Sequence, residues 1–240
     1  MKIYVCFTGH LRTFRKCLSN YSELLKGHEV KYFMHTWNEV SPQESSWHGF
    51  DLEPKKVSEN DLDFIKRNLI NLELICDDQS EIISQNLTVR EKVFRCVNYS
   101  QSAVLELALK KSLPDLILCT RPDIRFYNNK LTKFIANCDL EKFYVLGNSN
   151  NTQELSGYSA CDAVNFANPS LFMKKVGYFK ENLPEFSSSF HKNGWMYQRF
   201  MDEIRTPVEV APLHYQKDWG IQRPPLSVFR DLRKKLNEKK

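Results

Sequence analysis

The chain carries no G-x-x-x-x-G-K-[ST] run, which excludes a P-loop, and no G-x-G-x-x-G fingerprint of a dinucleotide site. Its seven cysteines are scattered and odd in number, and no two form a C-x-x-C pair. That pattern argues against a disulfide framework and against a structural zinc site. Several sit in apolar runs such as Val5-Cys6-Phe7, where cysteine acts as a small hydrophobe, and a reducing cytosol is the expected setting. No stretch reaches the roughly 18 apolar residues of a membrane span. The opening run Met1–Phe7 is too short for a signal peptide before polar residues begin. The net charge of +5 is mild, and no basic block is long enough to argue for nucleic acid. Internal repeats and low-complexity segments are absent as well.

What the chain does have is the make-up of an ordinary globular domain. At 240 residues it can bury about 70% or more of its unfolded surface and needs no staples. Its 16 Phe and 10 Tyr exclude disorder and point to an aromatic-rich core or wide pockets. Ile3 to Phe7 reads as a buried strand, and Phe14, Leu18, Tyr21, Leu24 and Leu25 repeat at helical spacing up to Gly27. Glu29 to Met34 reads as a second strand, so the order suggests a parallel βαβ unit. Further on, Asp61–Leu69 reads as a helix and Leu72–Cys76 as a strand. Thr88–Lys111 is the longest helix, and Leu116–Cys119 the clearest buried strand. Phe143–Leu146 and Ala163–Ala167 are strands, and Asn168-Pro169 opens a helix with an N-cap and a first-position proline. Glu185–Ile204 is mostly helical, and Val208–Val210 is a short late strand. The polar segments Asn38–Pro54 and Gly147–Gly157 read as loops long enough to act as lids.

In open parallel sheets ligands bind at the carboxyl ends of strands, and three of these strands end in unusual residues. Thr8-Gly9-His10-Leu11-Arg12 pairs a glycine that permits close backbone approach with an arginine at a helix start, where free N–H groups favour a phosphate or diphosphate. The alternative is a turn with a surface arginine. His35-Thr36-Trp37 could stack on a base or sugar and bond a hydroxyl, or His35 could be a satisfied core histidine. Thr120-Arg121-Pro122-Asp123 puts an acid where a nucleotide-sugar enzyme would hold a metal, or Arg121 and Asp123 form a structural ion pair closing the loop. Asp162, after a flexible loop, could orient an acceptor hydroxyl or act as a general base, or be a solvated loop acid. His191 and His214 could each ligate a metal or bind a leaving phosphate, although a late histidine more often does neither. The segment Leu226–Lys240 reads as a basic amphipathic helix, able to lie on an anionic membrane or to pack on its own domain.

Taken together, Thr8-Gly9-His10-Leu11-Arg12-Thr13-Phe14, His35-Thr36-Trp37, Asn98-Tyr99-Ser100, Thr120-Arg121-Pro122-Asp123 and Asp162-Ala163-Val164-Asn165-Phe166, with Pro169 and Met173, resemble bacterial surface-polysaccharide glycosyltransferases of O-antigen and capsule gene clusters. The likeness covers residues 1 to about 215. It implies an α/β fold of GT-A type: a Rossmann-like, mostly parallel sheet flanked by helices, as one domain over 1–215 with a basic helical tail over 216–240. It also implies transfer of a sugar from an activated, nucleotide-linked donor to a glycan or lipid-linked acceptor, in the cytoplasm or at the inner face of the membrane. Donor-side residues are then Gly9, His10, Arg12, His35, Thr36, Trp37, Arg121 and Asp123, and the catalytic residues are Asp162 and Asp123. The family holds a divalent Mn or Mg ion with a D-x-D motif. Here Arg121-Pro122-Asp123 keeps one acid, leaving Asp123 and His214 as candidate ligands and Arg121 as a cation able to neutralise the diphosphate itself. A glycan phosphotransferase and a non-catalytic glycan- or nucleotide-binding protein of the same fold are the competing readings.

Overall fold

A computed structural model describes residues 1–40, 56–82, 87, 89–110, 112–147, 160–182 and 193–222. Nine strands run in chain order among them: β1 (Lys2–Thr8), β2 (Glu29–Trp37), β3 (Glu73–Asp77), β4 (Leu116–Thr120), β5 (Ile124–Phe126), β6 (Phe143–Gly147), β7 (Ala160–Ala167), β8 (Val208–Ala211) and β9 (Trp219–Ile221). The helices are α1 (Ser19–Leu24), α2 (Glu59–Asn68), α3 (Gln79–Ile82), α4 (Val89–Leu109), α5 (Lys130–Ile135), α6 (Pro169–Glu181) and α7 (Asn193–Ile204). Seven strands form the central sheet in the order β3-β2-β1-β4-β7-β6-β8, and β5 pairs with β9 in a small second sheet. The pairings β1–β2, β1–β4, β2–β3 and β6–β8 are parallel, whereas β7 runs antiparallel between β4 and β6. The expected mostly parallel α/β sheet is therefore present.

Period-two alternation explains why β1 and β4 read as continuous apolar runs. Ile3, Val5 and Phe7 enter one buried cluster with Leu116 and Leu118, while Tyr4 and Cys6 enter the other with Ile117 and Cys119. A sheet covered on both faces has no polar face to show. The first cluster is closed by Tyr21 and Leu24 of α1, Ile65 of α2 and Leu131 and Ile135 of α5. The second is closed by Phe94, Val104 and Leu105 of α4, Phe172 of α6 and Tyr197 and Phe200 of α7.

Two helix starts follow the chemistry of their sequences. Ser58 and Asp61 form a reciprocal capping box at α2. Asn168 accepts from Leu171 N–H at 2.9 Å, with Pro169 as the first residue of α6. The helix expected over Phe14–Leu25 is instead a 3₁₀ turn at Phe14–Lys16 followed by α1. Its apolar residues are buried as the spacing requires.

The chain runs from β1 outward to β2 and β3 on one side, then returns through α4 to β4 on the other. That reversal makes the carboxyl ends of β1 and β4 the topological switch point, where open sheets leave a crevice. The small β5–β9 sheet seals one flank of it. Ile124 pairs with Ile221 and Phe126 with Trp219, and Trp219 is fully buried. Trp219 of β9 buries its ring in the core. Residues 223–240, with the basic amphipathic segment, lie outside the described residues, as do most of the loop over 38–54, the loop over 148–159 and the expected helix before 193.

Replacing the buried indole should be costly: Trp219→Ala is expected to lower stability by about 3–5 kcal/mol, with Trp219→Phe far milder. Urea denaturation would check this, and a chain ending at Tyr215 should be less stable than one ending at Gln222.

Candidate functional site at the ends of β1 and β4

β1 ends at Thr8, and Gly9 takes φ +101°, a value that L side chains resist. Its N–H points into the protein, shared between the His35 carbonyl and Ser100 Oγ at 3.2 Å each. Arg12 sits at φ +45°, a left-handed conformation that costs a non-glycine residue about 1–2 kcal/mol. Its N–H donates to the Val40 carbonyl at 2.9 Å. Both N–H groups are therefore used internally, and the next element along the chain is a three-residue 3₁₀ turn. The Gly9 and Arg12 N–H groups face inward and are not offered to an anion. What the strained turn delivers is the Arg12 side chain.

That side chain meets Arg121 on one carboxylate. Arg121 Nε donates to Asp123 Oδ1 at 2.9 Å and Nη2 to Oδ2 at 2.6 Å, a bidentate fork. Arg12 Nη1 stands 3.6 Å from the same Oδ2. Asp123 is 1% exposed, whereas the two arginine side chains are 33% and 29% exposed. The carboxylate is the buried anchor and the guanidiniums are the accessible face. The turn is locked from behind: Ile124 N–H donates to the Arg121 carbonyl and Gln222 N–H to the Asp123 carbonyl at 2.7 Å. Thr13 Oγ1 donates to the Gln222 carbonyl, so β9 ties the two strand ends together.

This donor set does not fit a divalent metal. Both Asp123 oxygens already accept from Arg121, and a dication would have to enter beside two guanidiniums. His214 lies in the turn before β9, where its N–H donates to Asp218 Oδ2 and its carbonyl accepts from Asp218 N–H. Among the described residues no group of three His, Cys, Asp or Glu could hold a metal ion.

His10 is half-buried beside this pair. Its Nδ1 lies 3.0 Å from the Glu39 carbonyl, which can only accept, so Nδ1 carries the proton and Nε2 keeps its lone pair. Burial, reinforced by Arg12 and Arg121, pushes the imidazole down to about 3. The site thus contains one neutral acceptor next to two cations.

The segment His35-Thr36-Trp37 lies behind the surface. His35 and Thr36 are fully buried and Trp37 is 1% exposed. Both ring nitrogens of His35 have partners: Ser100 Oγ at 2.6 Å and Asp77 Oδ2 at 3.2 Å. Burial holds its proton affinity down against the pull of Asp77. Trp37 packs edge-on against His35 and under Tyr99, with the Tyr99 ring centroid 5.8 Å away. Tyr99 is the aromatic residue that reaches the surface, at 38% exposure. The side chains of all three, expected on the donor side, lie beneath the surface, with Tyr99 stacked over Trp37. Asp77, Tyr99 and Ser100 escaped the strand-end reasoning for different reasons. Asp77 ends β3, a strand whose terminus looks unremarkable, and the other two are carried by a helix.

Asp162 lies on β7. Thr120 pairs with Val164 in the antiparallel register, so the start of β7, which carries Asp162, lies toward the carboxyl end of β4, in the stretch where the β6–β7 register shifts between Asn165 and Cys161. Gly9–Arg12 and Arg121–Asp123 share one sheet edge. His191 lies outside the described residues. No described helix is long and apolar enough to cross a membrane.

No family model matches the chain, and no curated protein matches it either. Solved structures do. A glycosyltransferase involved in glycosylation of the major capsid of PBCV-1 aligns with a TM-score of 0.50 at 12% identity, over 96% of this chain and 99% of the other. Galactosyltransferase LgtC, solved with donor and acceptor sugar analogues, aligns with 0.48 at 10% identity over 87% and 73%. Glycosyltransferase GlyE of Streptococcus pneumoniae TIGR4 aligns with 0.43 at 11% identity over 86% of this chain, which spans 44% of that protein. The fold is that of GT-A-type glycosyltransferases.

The depressed histidines set an acid dependence. Between the unfolded value of 6.5 and about 3 for His10, the unfolded chain binds more protons than the folded one, so stability falls as pH drops below 6.5. His10→Gln should reduce that loss by on the order of 1–2 kcal/mol at pH 5. Urea denaturation at pH 7 and pH 5 would measure it, and an unchanged pH dependence would refute a neutral His10.

Proposed function

We propose that the chain is a glycosyltransferase in which Arg12 and Arg121, gathered on Asp123, bind the diphosphate of a nucleotide-linked sugar donor. The observation that carries the reading is this two-arginine cluster at the switch point of a GT-A-type sheet. In sugar transfer the bond from the anomeric carbon to the diphosphate oxygen breaks, and negative charge grows on the leaving phosphate. Preorganised cations aimed at that charge stabilise the transition state more than the ground state. Arg12 and Arg121 occupy the place where the family would put a metal, and Asp123 positions them. Asp162 orients the acceptor hydroxyl and takes its proton as the new glycosidic bond forms. His10 Nε2 accepts from a hydroxyl of the donor, and Tyr99 supplies an aromatic wall. The acceptor is a glycan or lipid-linked glycan of a bacterial surface polysaccharide, the sequence resemblance being the support for that context. The same reading puts the enzyme in the cytoplasm, with Leu226–Lys240 resting on the inner, anionic face of the membrane.

The occupation of Asp123 by guanidiniums also favours a second reading, a nucleotide-sugar-binding protein without turnover. Purified protein incubated with a panel of nucleotide sugars, with Mn²⁺ or with EDTA, separates the two. Consumption of one donor, with EDTA changing the rate less than about twofold, is expected. Arg121→Ala should lower kcat/KM by ~10²–10³, the scale of a lost oxyanion donor, with Arg121→Lys intermediate because it loses the fork. Tight binding without consumption would favour the second reading, and loss of activity in EDTA would overturn the metal-free role of the arginines. Deleting 226–240 should weaken binding to anionic liposomes, and unchanged binding would remove the membrane contact.

A further inference from the structure

A chain of hydrogen bonds behind the site links four elements of the fold. Gly9 N–H, at the end of β1, donates to Ser100 Oγ of α4 at 3.2 Å. Ser100 Oγ lies 2.6 Å from His35 Nδ1 on β2, and His35 Nε2 lies 3.2 Å from Asp77 Oδ2 on β3. The Tyr99 hydroxyl donates to the same Asp77 oxygen at 2.9 Å. Donor and acceptor chemistry fixes the direction of every link. An amide N–H can only donate, so Ser100 Oγ accepts from Gly9 and has its own hydroxyl hydrogen to give. Asp77 as a carboxylate can only accept, so His35 Nε2 carries the ring proton. The remaining nitrogen, Nδ1, is then the acceptor for Ser100.

The residue types are those of a nucleophilic triad, yet Ser100 and His35 are fully buried. Ser100 is engaged on both sides and has no open face for a substrate. We infer that His35 and Ser100 are positioning residues: the relay Asp77–His35–Ser100 holds the Gly9 peptide in its left-handed turn and thereby sets where Arg12 meets the diphosphate. The inference rests on the diphosphate reading of the arginine pair. The geometry supports it further, because Gly9 has one other backbone partner, the His35 carbonyl, supplied by the same residue that anchors the relay. Asp77, 29% exposed on its side chain, is the link of the relay nearest solvent, and the Tyr99 hydroxyl covers part of it.

Three measurements on the full chain decide the matter. Nitrogen chemical shifts of the His35 ring should show Nδ1 unprotonated and Nε2 protonated. In Ser100→Ala, exchange of the Gly9 amide hydrogen should accelerate by about tenfold and the affinity for inorganic pyrophosphate should fall by about 3–10-fold, the scale of one lost hydrogen bond. Ser100→Thr, which keeps the hydroxyl, should restore both. A protonated Nδ1, or unchanged Gly9 exchange in Ser100→Ala, overturns the relay. Faster exchange with unchanged pyrophosphate affinity overturns its positioning role. If the wild-type protein itself fails to bind pyrophosphate, the diphosphate reading fails, and the positioning role with it, while ring shifts and amide exchange still judge the relay independently.

Discussion

A buried carboxylate shared by two guanidiniums organises the carboxyl edge of this sheet. Asp123 alone would be an expensive group to bury. Arg121 makes it tolerable with a bidentate fork, and Arg12 adds a second cation at the cost of a left-handed backbone. Strain of this kind persists where the surroundings over-determine it. Here those surroundings are the Val40 carbonyl behind Arg12, Gln222 behind Asp123 and the Ser100 relay behind Gly9. Taking away the carboxylate would leave the cations without a common point of aim, so the charge arrangement and the backbone geometry are one constraint.

The topology explains why such a constraint sits in this place. β1 and β4 are neighbours in the sheet but more than a hundred residues apart in sequence. The segments that follow them share one face, where Tyr21 of α1 packs edge-on against Phe126 of β5 and Thr132 of α5 donates to the Leu24 carbonyl, so the two strand ends are held side by side. β7, antiparallel beside β4, brings a third segment to the same edge. Arg12 therefore comes from the start of the chain, Arg121 and Asp123 from its middle, and the strand that braces them from near residue 220.

Much of the fold was legible because its signals are local. The strands Ile3–Phe7 and Leu116–Cys119 announced themselves as apolar runs, and Asn168-Pro169 marked a helix start within one residue. β5 and β9 were not legible: three-residue strands carry no periodicity, and Trp219 becomes a core residue only through Phe126 across the small sheet. The candidate site was legible in part. Arg121 and Asp123 were visible as a pair, but whether they bind each other or a metal depends on a rotamer, which sequence does not encode. His35-Thr36-Trp37 looked like surface chemistry because polar types ended a strand. Their partners Asp77, Tyr99 and Ser100 come from distant segments, and these satisfy His35 and cover Trp37, making an interior of what reads as a rim.

The bracing by Gln222 has a temporal side. Thr13 and Gln222 are 209 positions apart, and Asp123 is held from the same end of the chain. Contacts between such distant segments are the slow ones to form, since loop closure must come before any reward. During synthesis the strands carrying both arginines are made long before β9 exists. The sheet can assemble while its working edge is still slack, and the edge tightens only when β9 docks. On this view, the geometry that joins Arg12, Arg121 and Asp123 is the last part of the described fold to set.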